Sequence, residues 1–410
     1  MLVVTDPGLR AAGVVDAVVG PLAASGAVVE VFDAVRGNPT VAVVEDGAEH
    51  ARALGLDAVL ALGGGSSLDA AKGIALLAPS PGARADGSGV TPAAGLPLVA
   101  VPTTAGTGAE TNGFGVLEDP ANRQKVYCGD ASVVPRVAVL DPELTLGLPA
   151  AATAATGVDA LVHGIESLAS RGRDPMSEAF AAEAVRRAWV WLPVAVADGS
   201  DPRARAEMLV AAHLAGQALT RSGLGLVHGL AHALSLHTGA VHGPALAAVL
   251  PEVVAWSLDA DPAGWGRAAE AAGLPGPAAL PDALGACSSR STRGSRWPTW
   301  VRPPTTARPW RARPWPTRSA ATRLGTRRRW PSSWSCSAAA DTRSRATRTW
   351  ARSRIRAPGG GVGPGFEVMQ QVSPRSPHSS RSPCVGAVPT VGVVISSGPT
   401  GARPAPPGLP

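Results

Sequence analysis

Short apolar runs alternate with helical stretches over residues 1–147, and this alternation stops at Pro149. Strands are predicted at Leu2–Thr5, Val28–Phe32, Ala58–Leu62, Leu98–Val101 and Val137–Leu140. From Pro149 to about residue 285, apolar residues recur at helical spacing only. Strands that alternate with helices pack as a mostly parallel sheet covered by helices. We therefore expect an α/β domain over residues 1–148 and an all-α domain over residues 149–285.

The helices of both halves show recognisable ends. In the first half they are predicted at Ala11–Ser25, Gly47–Leu54 and Leu68–Leu77, the last with Ser66 or Ser67 as N-cap. In the second half they are predicted at 149–170, 176–197, 202–221, 224–236, 243–256 and 262–272. Asp201 suits an N-cap, and Pro202 suits the first helical position that follows it.

Charge is distributed unevenly along the 410 residues, so the net charge of +6 is a misleading average. Residues 286–410 hold 21 Arg, no Lys, two acidic residues and 7 of the 11 Trp, whereas residues 1–285 hold 16 basic and 29 acidic residues. The tail also lacks helical periodicity and is rich in Pro and Ser. We expect residues 286–410 to be irregular or disordered.

Several classes of function are disfavoured by composition. Arg and Trp without a folded platform give weak support for nucleic-acid binding, so no nucleic-acid partner is expected. No run of 18 apolar residues is present, which predicts no transmembrane helix and no membrane partner, and the N-terminus lacks a signal-peptide pattern. The four Cys are scattered without a CxxC, so no disulfide framework or cysteine zinc site is predicted. A cytoplasmic enzyme is the expectation.

A glycine run, Gly63-Gly64-Gly65-Ser66, follows the third predicted strand and precedes a helix. Glycine lets the backbone approach a ligand closely, and a helix N-terminus offers unpaired N–H groups and a positive dipole end. The run therefore favours a phosphate site over a simple tight turn. It lacks the GxGxxG spacing of an ordinary dinucleotide-binding dehydrogenase.

Two other positions end predicted strands at the same edge of the sheet. The hydroxyl and N–H groups of Thr103–Gly108 can bind phosphate or ribose oxygens there, although a local Thr/Gly turn explains the same residues equally well. Asp6 ends the first strand, and its carboxylate can bind a ribose diol or cap a helix. Both interpretations stay open for each position.

Histidines are concentrated in the helical half, where six of the eight lie between positions 163 and 242. The candidate metal-binding residues are Asp159, His163, His228, His232, His237 and His242. The first two are four residues apart, as are the next two, so each pair shares one face of a helix. A carboxylate with several imidazoles suits a divalent cation, whereas a lone buried histidine is more often a hydrogen-bonded core residue. Spacing alone does not choose which of the four later histidines are ligands.

Several of these segments together resemble the iron-containing (group III) alcohol dehydrogenase family. They are Gly157–Glu166, Gly225–His232, Val241–Gly243, Gly63–Lys72, Val101–Glu110 and Asp141–Thr145. The resemblance runs from residue 1 to about residue 285, with the segments in the order that the family has. It implies a Rossmann-like parallel sheet for the N-terminal domain and a metal-binding, catalytic all-α domain after it.

The resemblance assigns roles residue by residue. The implied metal ligands are Asp159, His163, His228 and His242, and His232 is implied as the catalytic proton relay near the substrate. The implied cofactor-binding residues are Asp6, Asn38, Gly64, Gly65, Ser66, Asp69, Thr103, Thr104, Thr107 and Lys125. Asp6 is implied to favour NAD over NADP, because a carboxylate repels a 2′-phosphate.

The activity implied by the resemblance is that of an NAD-dependent alcohol dehydrogenase or aldehyde reductase. Its cofactors are NAD and Fe(II), with zinc or another divalent ion in some members of the family. Hydride passes between the metal-bound alcohol and nicotinamide, and the metal acts as a Lewis acid. The substrate is a small alcohol or aldehyde, and a homodimer is left open. The related alternative is an enzyme of the glycerol dehydrogenase or maleylacetate reductase type.

From about Ala286 the chain departs from the family pattern, which continues with further helices. Abundant Arg, Pro, Ser and Trp without Lys is typical of a GC-rich gene read out of frame. Our hypothesis is a frameshift near this position, and a genuine disordered basic tail is the alternative. A catalytically dead, truncated product is therefore a second alternative function for the chain, and a nucleic-acid binder that depends on the tail is a third.

Overall fold

A six-stranded parallel sheet organises the first half of the chain in the computed structural model. The structure describes residues 1–289, 350–355, 366–371 and 392–395. The strands from this half are β1 (Leu2–Val4), β2 (Glu30–Phe32), β3 (Val59–Gly63), β4 (Leu98–Pro102) and β7 (Val137–Leu140). They lie in the order β7-β4-β3-β1-β2, with every neighbouring pair parallel. The α/β prediction is confirmed.

Four helices accompany this sheet: α1 (Pro7–Ala11), α2 (Val14–Ala24), α3 (Val41–Ala53) and α4 (Gly65–Leu77). Helix α4, most of whose residues are buried, packs against the sheet, with Leu68 and Ile74 in the same apolar cluster as the strands. Helix α3 begins six residues earlier than predicted, because Thr40 caps it by accepting a hydrogen bond from the backbone N–H of Val43. The predicted N-cap of α4 is wrong, since Gly64 occupies that position without a side-chain cap.

An antiparallel hairpin, which the sequence analysis did not predict, lies between β4 and β7. It consists of β5 (Phe114–Asp119) and β6 (Gln124–Gly129). It packs on α4, where a Cβ on Gly115 would lie 2.5 Å from the carbonyl oxygen of Asp69. This hairpin becomes important below because one of its faces lines the candidate site.

The helical half contains α5 (Ala150–Ala169), α6 (Pro175–Ala197), α7 (Pro202–Ser222), α8 (Leu226–Thr238), α9 (His242–Ser257), α10 (Pro262–Ala271) and α11 (Leu280–Ser289). Helices α5, α8 and α9 share one core that includes Val162, Val227 and Leu246, all fully buried. The prediction of an all-α second half is confirmed, including Asp201, whose side chain accepts hydrogen bonds from the first-turn N–H groups of α7. The proposed domain limits, 1–148 and 149–285, stay a prediction.

Three short strands lie in the part of the chain for which no regular structure was expected. β8 (Trp350–Ile355) and β9 (Phe366–Gln371) form an antiparallel pair. β10 (Gly392–Ile395) pairs in parallel with β7 and so forms the sixth strand of the sheet. Residues 286–289 of the predicted irregular or disordered tail belong to the end of α11, and apart from the three strands its other residues lie outside the described residues.

The chain divides into two compact units, residues 1–305 with 387–410, and residues 306–386. The candidate site belongs entirely to the first of these units. Within the described residues, none of the helices combines the length and the apolar character needed to cross a lipid bilayer.

Candidate metal and nucleotide site

A cleft of about 870 Å³ is lined by loops of the parallel sheet, by the hairpin and by the helical half. It brings together every residue that the resemblance assigned to a metal, a cofactor or catalysis. These are Asp6, Asn38, Gly64, Gly65, Ser66, Asp69, Thr103, Thr104, Thr107, Lys125, Asp159, His163, His228, His232 and His242. Residues from eight separate segments of the chain therefore share one concave surface.

Three imidazoles converge on a single carboxylate oxygen at the helical side of the cleft. The Nε2 atoms of His163, His228 and His242 lie 3.4, 3.3 and 3.5 Å from Oδ1 of Asp159. Asp159 and His163 come from the middle of α5, whereas the other two come from the first turns of α8 and α9. One carboxylate and three imidazoles thus face a common point.

This arrangement fits a divalent cation. Ligand atoms at about 2.1 Å from a tetrahedral ion are separated from one another by about 3.4 Å, which is the spacing around Asp159 Oδ1. One ligand atom each from Asp159, His163 and His228 lies within 4.8 Å of the others, and all three residues are buried. His242 is more exposed, with 34% of its side chain accessible. The possible metal ligands are therefore three buried residues close together, Asp159, His163 and His228, and a more exposed fourth, His242.

Glu166, to which the sequence analysis assigned no role, contacts the ring nitrogen of His228 that faces away from Asp159. Its Oε2 lies 2.5 Å from Nδ1 of His228, so it orients the ring whose Nε2 faces Asp159. Its two oxygens also accept hydrogen bonds from the backbone N–H groups of Gly225 and Val227. A carboxylate that orients a metal-binding histidine is a common second partner in metal sites. The signal that could have found it is its position seven residues after Asp159, on the same face of α5.

The pKa values of His163, His228 and His232 differ because the surroundings of these side chains differ. Burial lowers the pKa of His163 to about 4, which leaves a neutral ring with a free lone pair at neutral pH. Burial opposes charge on His228 as well, but its hydrogen bonds to Asp159 and Glu166 outweigh that effect and raise its pKa to about 9. Burial, with the charges of His242 and His228, lowers the pKa of His232 to about 3. His232 is therefore a neutral base at the edge of the cluster.

Asp159 is ionised in spite of its burial. Burial favours the neutral carboxyl group, but the charges of His163 and His242 and the hydrogen bond with His228 hold the pKa of Asp159 well below its ordinary value. The carboxylate of Asp159 consequently keeps its negative charge among the imidazoles, which suits a cation site.

The glycine loop and the N-terminus of α4 form the opposite side of the cleft. Helix α4 begins at Gly65 without a side-chain cap, and Gly64, Gly65 and Ser66 line the cleft, so the N–H groups of its first turn have no capping side chain there. A Cβ on Gly65 would lie 2.5 Å from Cγ2 of Thr107, so only glycine fits where the two loops meet. These features suit a bound pyrophosphate.

The second loop, Thr103–Thr111, is fixed to the helical half by buried contacts. Glu110 Oε1 lies 3.1 Å from Nδ1 of His213 on α7, and both residues are buried. A Cβ on Gly108 would lie 2.5 Å from the Cα of Gly216 on the same helix. His213 therefore belongs to a structural pair rather than to the metal cluster.

Two other cofactor candidates line the cleft beside β1 and α4. Asp6 is the N-cap of α1, and its Oδ1 accepts a hydrogen bond from the backbone N–H of Leu9 at 3.1 Å. Asn38 has a positive φ of 55°, and its backbone N–H donates to Oγ of Ser66 at 3.3 Å. The capping role of Asp6 and its place in the cleft occur together, so the two interpretations of this residue are compatible.

Asp69 and Lys125 also line the cleft. Both oxygens of Asp69 already have protein partners: Nζ of Lys72 donates to Oδ1, and the backbone N–H of Val116 donates to Oδ2. Lys125 projects from β6, opposite Glu118 on β5. His237 is exposed and is not among the residues that line the cleft.

Comparison with known protein families accounts for most of the described chain. The family described as "Iron-containing alcohol dehydrogenase" matches residues 1–142. The family described as "Fe-containing alcohol dehydrogenase family, C-terminal" matches residues 153–286. The junction between the two matches falls where the sheet gives way to helices.

Individual relatives agree with these matches. The chain is 39% identical to alcohol dehydrogenase 4 of Schizosaccharomyces pombe over 254 residues, which is 62% of this chain and 60% of that protein. It is 38% identical to the NAD-dependent methanol dehydrogenase of Bacillus methanolicus over 259 residues, 63% of this chain and 68% of that protein. The chain thus spans only about two thirds of the length of these relatives.

A solved structure gives the same result. Sulfoacetaldehyde reductase from Bifidobacterium kashiwanohense, in complex with NAD+, superposes with a TM-score of 0.65 at 31% identity. The match covers 69% of this chain and 76% of that one.

Proposed function

The chain belongs to the iron-containing alcohol dehydrogenase family, and we propose that it is a metal-dependent, NAD(H)-linked alcohol dehydrogenase or aldehyde reductase. The observation that carries the proposal is the convergence of three Nε2 atoms on Oδ1 of Asp159, in the same cleft as the glycine loop of α4. A cation site and a pyrophosphate site in one cleft suit hydride transfer between a small alcohol and a nicotinamide.

We assign the metal to Asp159, His163, His228 and His242. A divalent cation held there supplies Lewis acidity, which stabilises negative charge on the oxygen of the substrate. A set of one carboxylate and three imidazoles accepts Fe(II), zinc and neighbouring ions, and Fe(II) is the ion we propose. Glu166 fixes the ring of His228 through its Nδ1 and so keeps Nε2 directed at the site.

We assign the cofactor to the loops on the other side of the cleft. NAD supplies the hydride acceptor, and its reduced form supplies the hydride donor. The unpaired N–H groups at the start of α4 bind the pyrophosphate, and the absence of side chains at Gly64 and Gly65 lets the backbone approach it. The hydroxyl groups of Thr103 and Thr104 add further donors, while the carboxylate of Asp6 in the same cleft disfavours a 2′-phosphate.

The remaining role is proton transfer, which we assign to a ring nitrogen of His232. Its ring centroid lies 5.0 Å from that of His242 and 6.1 Å from that of His228, so it borders the metal cluster without sharing Asp159 Oδ1. A histidine in that place can take the hydroxyl proton during oxidation and return it during reduction. Lys125, also in the cleft, is the residue we assign to the nicotinamide ribose.

The experiment that tests the proposal combines elemental analysis with an NAD(H)-linked assay on the purified full chain. We expect about one divalent metal per chain and NAD-dependent oxidation of small primary alcohols, or reduction of their aldehydes. A panel with diols and oxoacids separates an alcohol dehydrogenase from an enzyme of the glycerol dehydrogenase or maleylacetate reductase type. A folded chain that binds neither metal nor NADH contradicts the proposal and favours the catalytically dead alternative.

A further inference from the structure

Lys72 is a completely buried lysine, with 0% of its side chain exposed, and the proposed mechanism does not use it. It lies in the second turn of α4, just beyond the glycine loop. Burial lowers the pKa of Lys72, and Asp69 partly opposes that effect. A buried ammonium group is costly unless its three protons are hydrogen-bonded, so its partners indicate its role.

Each of the three protons of Lys72 has an acceptor. Nζ donates to Oδ1 of Asn112 at 2.9 Å, to the carbonyl oxygen of Phe114 at 2.8 Å and to Oδ1 of Asp69 at 3.3 Å. Two of these acceptors lie at the start of the β5–β6 hairpin, about 40 residues along the chain. Lys72 therefore joins α4 to the hairpin.

Two further contacts seat the same hairpin on the same helix. The backbone N–H of Val116 donates to Oδ2 of Asp69 at 3.0 Å, next to the ion pair that Asp69 makes with Lys72. Gly115 approaches the backbone of Asp69 so closely that a Cβ would lie 2.5 Å from its carbonyl oxygen. The base of the hairpin is thus held by one helix turn through charge, hydrogen bonds and close packing.

The hairpin in turn carries residues of the cleft. Phe114 and Val116 on β5 and Lys125 and Tyr127 on β6 all line it. Lys125 and His232 line the same cleft, so the hairpin places this lysine on one concave surface with the catalytic cluster. A shift of the hairpin on α4 moves Lys125 relative to both the glycine loop and His232.

We propose that Lys72 is a positioning residue, which seats the β5–β6 hairpin on α4 and thereby sets the place of Lys125 in the cleft. Lys72 itself touches neither substrate nor cofactor, since it is buried beneath the hairpin. The first part of the proposal, that Lys72 holds the hairpin on α4, depends only on the contacts of Lys72. Its consequence for cofactor binding rests on the proposed function.

Lys72→Met tests the proposal in the full chain without metal or cofactor, and then with NADH. Methionine keeps the length of the side chain but removes the Lys72 donor from Asp69 Oδ1, Asn112 Oδ1 and the Phe114 carbonyl, and Asn112 Oδ1 then keeps only the backbone N–H of Phe114. We expect faster hydrogen–deuterium exchange of the amides in residues 113–129 and an NADH dissociation constant raised about tenfold by fluorescence titration. The metal content is expected to stay at the level of the unmodified protein.

Arg52→Met is the matched control, because Arg52 also joins α4 to another element through bonds to backbone carbonyls. Its Nε and Nη2 donate at 3.2 Å to Ala78 and Leu77, at the far end of the helix from the cleft. We expect this variant to lose stability without faster exchange in the hairpin and without a change in NADH affinity.

Asn112→Ala provides the second measurement if Lys72→Met does not fold. It removes one of the two hairpin acceptors and leaves the Asp69–Lys72 ion pair in place, so a smaller increase in exchange at residues 113–116 is expected.

The positioning role is overturned if the hairpin amides of Lys72→Met and Asn112→Ala exchange no faster than those of Arg52→Met. A loosened hairpin with unchanged NADH affinity overturns its consequence for the cofactor. An unmodified chain that does not bind NADH contradicts the proposed function instead, while the exchange comparison still tests the structural role.

Discussion

The two sides of the cleft present different parts of the chain to the ligands that we propose for them. On the sheet side, backbone N–H groups at the start of α4 and residues without side chains, such as Gly64 and Gly65, form the surface. On the helical side, side chains from the interiors and first turns of helices converge, with Asp159 at the centre. On the sheet side, binding depends on the space left by residues that have no side chain. On the helical side, it depends on the chemistry of individual side chains.

This difference indicates how each side should respond to substitution. A cofactor site built from backbone is damaged when a side chain is added, whereas a metal site built from imidazoles is damaged when one is removed. Substitutions on one side should leave the ligand of the other side in place. The predictions below test that separation.

His228→Ala is expected to have the largest effect. It removes one of the three closest ligand candidates, so metal content should fall close to zero, and activity should fall about 1000-fold or more, since Lewis-acid stabilisation is worth several kcal/mol. NADH affinity should stay within about twofold. Metal analysis and NADH titration of the purified variant check this. His50→Ala, on α3 and outside the cluster, is the control. Normal metal content and activity in His228→Ala would show that the ligand assignment is wrong.

His232→Ala is expected to separate metal binding from catalysis within the helical side. The variant should keep its metal, because His232 is not one of the residues around Asp159 Oδ1, while the turnover number falls about 100-fold or more through loss of proton transfer. Steady-state kinetics and elemental analysis measure the two quantities. Loss of metal together with turnover would contradict the division of roles.

Glu166→Gln is expected to weaken metal binding by about 10- to 100-fold without abolishing it. Glutamine keeps one oxygen as an acceptor but replaces the other with an NH2 donor, so it removes the negative charge beside Nδ1 of His228 and leaves the backbone N–H of Gly225 or of Val227 without its acceptor. Competition with a chelator measures the change. Glu178→Gln, which alters a carboxylate paired with Arg173 away from the cleft, is the matched control. If both variants resist the chelator equally well, Glu166 does not contribute to metal binding.

Gly65→Ala is expected to act on the sheet side alone. Its Cβ would lie 2.5 Å from Cγ2 of Thr107, so the two loops must separate, and the NADH dissociation constant should rise about tenfold with metal content unchanged. Adding Thr107→Ser removes that methyl group and should restore part of the affinity. Gly20→Ala, which meets nothing within 4 Å, is the control. Unchanged NADH affinity in Gly65→Ala would contradict the pyrophosphate assignment.

Asp174→Asn is expected to have the smallest effect, on stability rather than ligand binding. Hydrogen bonds from Arg221 and from the backbone N–H of Ser177 lower the pKa of Asp174 to about 2. A lowered folded-state pKa contributes stability above the ordinary pKa, and this contribution is lost as pH falls towards 2. The unmodified protein should therefore unfold at slightly higher urea than the variant at pH 6, and the gap should narrow below pH 4. A gap that widens in acid would contradict the ion pair with Arg221.

Much of the fold could be predicted because its signals are local. The strand before Asp6, the glycine run after β3 and the Asp201-Pro202 helix start depend on residues next to one another in the chain. The β5–β6 hairpin was missed for a physical reason. Its inward positions include Gly115 and Asp119, so the buried face shows no apolar alternation, and it packs on α4 rather than joining the sheet.

The start of α3 was misplaced for a related reason. Its first turn contains the β-branched residues Val41, Val43 and Val44, which favour strands in isolation. Thr40 as N-cap and the packing of Val44 into the core outweigh that preference. Propensity is a weak local bias that tertiary contacts override.

The sequence by itself determined that Asp159 and His163 share a helix face, and that a glycine loop precedes a helix. It left open which later histidines join them. Only the packing of α5, α8 and α9 around one core brings His228 and His242 to Asp159, and it leaves His213 paired with Glu110. The geometry within one helix follows from its backbone hydrogen bonds, whereas distances between helices depend on contacts among residues far apart in the chain. For the same reason the contacts of Glu166 with His228 and of Lys72 with the hairpin became visible only in the folded molecule.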